Sequence, residues 1–177
     1  LQTLQASNWS EVAKQGVHRI WQACEDYFHR NPYDRWFKRL ENVLVGTGAS
    51  YYSSMGGNAC HLDLVPFATA EKWSVLGPDE RAGLVQLGVP SLARTIKASD
   101  IRVLVLNGAT VVKEFNRLLG VKKLDSFDMP AWALQNGRVA GVAHVGSVSQ
   151  LNCISLDREL LVLGYNHNIQ STYGVTT

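Results

Sequence analysis

The chain lacks an excess of either charge: 17 Lys and Arg against 15 Asp and Glu leave a formal net charge of +2 over 177 residues. That balance excludes a large basic field, so any attraction to nucleic acid has to come from a local patch. Cysteine is scarce too. Cys24, Cys60 and Cys153 are odd in number and far apart, and without a CxxC pair neither a disulfide framework nor a structural zinc site is expected. They read as reduced thiols, which suits a cytoplasmic location. No run of about 18 apolar residues is present, so no membrane partner is expected. With 46% apolar and 18% charged residues, the composition is that of a folded globular chain and not of a disordered one. What the sequence does have in quantity is flat surface. Five Trp and six Tyr can serve cores or the stacking of bases.

The length suits one domain with a sizeable core, and a single α/β domain spanning 1–177 is expected. Asn8-Trp9-Ser10 followed by Glu11 has the form of a helix start, and apolar residues recur at helical spacing from Val12 to about Phe28. Asn31-Pro32 opens a second helix, Tyr33 to about Val45, closed by Gly46 and Gly48. The apolar run Ala59 to Val65, stopped by Pro66, reads as a strand. Pro78-Asp79-Glu80 opens a helix to about Lys97, interrupted at Gly88 and Pro90. "IRVLVL", residues 101 to 106, is a run typical of a parallel strand buried on both faces. A helix over Ala109 to Leu119 follows. Asn136-Gly137 between short apolar runs predicts a hairpin over 131–145 at one edge of the sheet. "RELLVLGYN" is a last strand, with 160–164 at its centre. Helices alternating with apolar strands predict a three-layer α/β/α fold with a mainly parallel central sheet, 101–106 and 160–164 lying beside 59–65, all parallel.

In such sheets ligands bind beyond the carboxyl ends of the strands. Three ends carry polar residues here: His61 and Asp63 before Pro66 and Phe67, Asn107-Gly108, and Asn166 to Ser171 around His167. They predict one pocket walled by Asp63, Phe67, Asn107 and His167, with Asn168 beside it. Alternation along a strand puts His61 and Asp63 on one side and Cys60 on the other, a poor arrangement for a Cys60–His61 nucleophile pair. Each group also has a plainer reading: Cys60 as a small buried hydrophobe, His61 and Asp63 as an internal hydrogen bond, Asn107-Gly108 as a turn, and His167 as an anchor of the tail. His61, Asp63 and His167 are metal-ligand types, but no spacing favours a metal, and no cofactor is expected.

The order of the pieces resembles the uracil-DNA glycosylase superfamily. "NPYDRWFKRLENVLVGTG", "ACHLDLVPFAT", "IRVLVLNGATVV" and "LLVLGYNHNIQST" are similar to its successive segments, from Pro32 onward. The family's closing His-Pro-Ser is here His167-Asn168-Ile169, and Asp63 stands where a base-reading Asn is usual. The family's first strand and water-activating loop would lie ahead of Leu1. The resemblance implies a DNA or nucleobase partner and a base flipped into the pocket. It also implies Asp63 on the base's pairing edge and His167 donating to the departing base's oxygen, a preorganised contact typically of ~3 kcal/mol. An ionised Asp only accepts, so it suits a donor edge better than uracil. Two alternatives stand beside this reading: a non-catalytic nucleotide- or protein-binding module of the same fold, and a small hydrolase using Cys60 and His61.

Overall fold

A computed structural model describes residues 14–30, 32–53, 58–120 and 122–170, which fall into two compact units, one within Leu1–Cys60 and one within His61–Thr177. The helix start expected at Asn8 to Glu11 lies outside the described residues.

The first unit is helical: α1 (Lys14–Glu25), α2 (Tyr27–Arg30) and α3 (Asp34–Val45). The helix read through to Phe28 breaks at Asp26, where a turn separates α1 from α2. α3 buries Phe37 and Leu40 and exposes Arg35, Lys38 and Val45, as its periodicity predicts. Gly48, at φ 77°, supplies the left-handed residue past its end. The returning loop is held by Glu41, which accepts from the Ser50 hydroxyl and from the Tyr51 amide (2.9 Å). This brings Tyr51 onto Phe28, with ring centroids 4.7 Å apart and stacked, while Phe37 meets both rings edge-on. Burial, foremost, pushes the Tyr51 hydroxyl up to about 12.

The second unit comprises α4 (Pro78–Lys97), β1 (Val103–Asn107), α5 (Ala109–Leu118), β2 (Asp125–Asp128), a single 3-10 turn (Pro130–Trp132), β3 (Val142–Leu151) and β4 (Ile154–Tyr165). The architecture is mixed α/β. The four strands form one sheet in the order β1-β4-β3-β2. β1 and β4 are parallel, as expected of 101–106 and 160–164, but they pair directly with each other and not through 59–65, with Val103 opposite Leu161 and Asn107 opposite Tyr165. The mainly parallel sheet is nevertheless a correction: β3 runs antiparallel to both of its neighbours. The cause is the turn Asn152-Cys153, with φ of 43° and 63°, which reverses β3 tightly into β4.

Residues 59–65 are not a strand, a second correction. The segment is irregular, and its end, Leu64 to Pro66, lies against α4, where the missing side chain of Gly88 makes room. A Cβ there would stand 2.8 Å from the Leu64 carbonyl oxygen and 3.0 Å from Pro66 Cδ. Gly88 therefore does not interrupt α4; it is the contact point. Pro90 also stays inside the helix, at the loss of one backbone donor. The Asn136-Gly137 reversal forms, but only Leu134 and Val139 bridge across it, so its flanks do not make a ribbon.

On β4, Leu156, Leu160, Val162 and Gly164 are buried and intervening residues are more open. Ala93 and Ile96 of α4, Val112 and Phe115 of α5, and Leu106, Leu124, Val148 and Leu151 join the same core. On the opposite face Val103, Leu161 and Phe127 are exposed. Between the pairs Val148–Leu160 and Gln150–Ser155, β3 has one residue where β4 has four, a wide bulge around Asp157 (φ 58°). The bulge turns Arg158 toward the end of α4. Its guanidinium donates to the carbonyls of Ile96 (2.5 Å), Ile101 (3.0 Å) and Lys97 (3.3 Å), while Asp157 pairs with the Lys97 ammonium at 2.8 Å. No helix among the described residues is long and apolar enough to cross a membrane.

Candidate functional site

The carboxyl ends of β1 and β4 stand side by side because the two strands are parallel, and everything that follows them is drawn to one edge. From Tyr165 and Asn166 the carbonyls accept the amides of Gly108 (3.0 Å) and Ala109 (2.9 Å), which fixes the start of α5 against the end of β4. Gly108 adopts φ 97°, a backbone conformation that side chains oppose, and brings no side-chain cap to α5. Asn168 passes close by: a Cβ on Gly108 would lie 3.6 Å from that of Asn168.

Three carboxamides meet here. Asn107 donates to the Gln170 side-chain oxygen and accepts from the Ile169 amide (3.4 Å), and Asn168 accepts from the Gln170 amide (3.1 Å). Asn107 is half-buried and Asn168 exposed, so the cluster runs from the sheet edge to the surface. The Gln170 side-chain nitrogen is buried without a hydrogen-bond partner among the described residues. Asn166 is spent on structure: it accepts from the Val142 amide (2.8 Å) and donates to the Ala140 carbonyl (2.7 Å).

His167, half-buried, places Nε2 2.7 Å from the Trp132 carbonyl oxygen. A carbonyl only accepts, so Nε2 carries a proton and donates to it. The Trp132 turn is seated against Gly141, where a Cβ would stand 2.4 Å from Trp132 Cβ and 2.7 Å from the Met129 carbonyl oxygen. Reading the sequence alone missed Trp132. The signal available was Pro130, which starts a short turn, followed by an aromatic residue beside a chain reversal.

The structure joins Asn107 to the loop of Asn168, and His167 to Trp132. Asp63 and Phe67 lie on the irregular segment that meets α4, outside this hydrogen-bond network among the described residues. Phe67 is exposed. Asp63 faces His61, Oδ1 to Nε2 at 3.6 Å, and the bond to His61, opposed by some burial, holds its carboxyl below the usual carboxylate range. Cys60 is exposed as a residue, yet the surroundings of its thiol desolvate it and push its pKa up, the reverse of what a nucleophilic thiolate needs. Ser171 lies outside the described residues. Among those residues no three His, Cys, Asp or Glu side chains are grouped to hold a metal ion.

Comparison of the chain with protein-family models, curated protein sequences and solved structures gives no match.

Proposed function

We propose that the chain is a uracil-DNA glycosylase-like domain that binds a nucleobase at the joint carboxyl edge of β1 and β4 without releasing uracil. The carboxamide cluster of Asn107, Asn168 and Gln170 carries this reading. It places donors and acceptors at the edge where parallel strands present ligands, beside a helix start without a side-chain cap. Amide groups and an imidazole match the mixed donor and acceptor edge of a base.

Binding is favoured over base release by two features. The departing base needs a donor at its oxygen, and the proton on His167 Nε2 is engaged by the Trp132 carbonyl. Asp63, which the resemblance would set on the pairing edge, accepts where uracil needs a mixed pattern. Titration with free bases and nucleosides is expected to give saturable binding, weakened roughly tenfold by Asn107→Ala or His167→Ala, the loss of about one hydrogen bond. Asp63→Ala reports separately on the arm implied by the resemblance. Equal binding by all variants, or none by the unaltered chain, would refute the site. Release of uracil from single-stranded or duplex DNA would refute the non-catalytic reading.

A further inference from the structure

The helical unit carries a second flat surface with no part in the edge just described. Tyr33 and Trp36 hold their rings within 11° of parallel, with centroids 6.5 Å apart. Both are exposed, Tyr33 by 59% and Trp36 by 38%, although large aromatics usually bury most of their surface. Neither is loosely held. The Tyr33 amide donates to the Tyr27 hydroxyl (3.1 Å), the Tyr33 carbonyl accepts from the amides of Trp36 (2.9 Å) and Phe37 (3.1 Å), and the next residue after Trp36, Phe37, is buried against Tyr27, Phe28 and Tyr51. The pair is thus preorganised at the start of α3.

The charge around it is one-sided. From Arg30 to Arg39 there are four basic side chains, Arg30, Arg35, Lys38 and Arg39, and one acid, Asp34. Arg30 pairs with Asp26 and Lys38 with Asp34, both on exposed surface where such pairs exchange readily for other anions. Arg39 follows Trp36 by three residues, which puts it on the same stripe of the helix. Aromatic faces interleaved with arginines suit a ligand that alternates flat rings with negative charge.

We infer that Tyr33 and Trp36 form a stacking platform for the bases of a single nucleic-acid strand, whose phosphates are met by Arg30, Arg35, Lys38 and Arg39. The charge complementarity selects this occupant over a proline-rich peptide, which would use the rings but has no need of the four cations. The surface belongs to the helical unit, so the inference stands or falls separately from the nucleobase edge.

The test is fluorescence anisotropy of a labelled thymidine oligonucleotide of about eight nucleotides, a common site size, on the full chain. The unaltered chain is expected to bind, more weakly as salt rises. Trp36→Ala should weaken binding roughly tenfold and Trp36→Phe should restore most of it. A strand of the same length made of abasic sites should bind the unaltered chain more weakly than the thymidine strand binds Trp36→Ala, because it offers no base to either ring. Arg35→Gln should lower the salt slope by about one. If Trp36→Ala does not fold, Tyr33→Ala, at the more exposed ring, takes its place. No binding by the unaltered chain, equal binding of the thymidine and abasic strands, or capture of a proline-rich peptide in preference to the strand would overturn the inference.

Discussion

Each end of β4 meets the end of a helix, and the two meetings are handled in opposite ways. Near its start, the carbonyls that finish α4 are closed by Arg158, with Asp157 and Lys97 paired alongside. At its finish, α5 begins on Gly108 with no side-chain cap, although Asn107, Asn168 and Gln170 are all nearby and bonded to one another instead. Any helix end leaves backbone groups without partners, and closing them stabilises the fold. The chain does so at one end and leaves it undone at the other. With glycine at that position, omitting a side-chain cap costs only a few tenths of a kcal/mol, and the omission falls at the edge where a ligand is proposed. Helix-end carbonyls are closed at the amino end of β4, and polar side chains bond to one another at its carboxyl end without capping the helix there.

Breaking the closed end should have the largest effect. Arg158→Met keeps much of the side-chain bulk and removes the charged donors from three carbonyls. A loss of about 3 kcal/mol is expected, measured by urea denaturation. Nucleobase affinity should be unchanged, and a parallel loss of affinity would show that the two ends are not independent. Gly108→Ala challenges the open end. The added methyl group finds ordinary space next to Asn168 but forces a side chain into φ 97°, which costs roughly 2 kcal/mol. Here affinity should fall along with stability, because the start of α5 and the Asn168 loop move together; a stability loss with affinity intact would dissociate the edge from binding.

The smallest effect is electrostatic. The hydrogen bond from Lys97, foremost, lowers the Asp157 carboxyl below its ordinary value. A carboxyl lowered on folding contributes stability that is present above its unfolded pKa and lost as pH falls through the folded one. Below about pH 4, amide signals of the α4 end and the β4 bulge should therefore shift in NMR spectra, while those of Asn107 and Asn168 do not respond to this group. Asp157→Asn should abolish the acid response of the bulge; its persistence would assign that response to another group.

Periodicity and caps made α3, α4, α5 and β1 legible in the sequence, as well as the parallel direction of β1 and β4, though not their direct pairing. The antiparallel half of the sheet was not. β3 carries His144, Gly146, Ser147, Ser149 and Gln150, which dilute its alternation, and its turn is Asn152-Cys153 and not the stronger Asn136-Gly137 signal. Turn chemistry alone does not make a hairpin when the flanks are too short to pair. Residues 59–65 show the converse: an apolar run reads as a strand until a helix with a glycine at the right place offers it another partner. At the site, Asn107, His167 and Asn168 could be named because each follows a strand. Their hydrogen bonds to Gln170 and Trp132 depend on how separate loops meet, which local spacing does not encode.

The bulge on β4 has a consequence for rebuilding the molecule. Because four residues of β4 face one of β3 there, the length of the hairpin tip is uncoupled from the register of Leu161 to Tyr165 against β1. Residues added between Asn152 and Cys153 would extend a projection without sliding those strands, so the tip is a natural point at which to graft a reporter peptide or open new chain ends. Cys153, exposed on that tip, already provides a chemical handle.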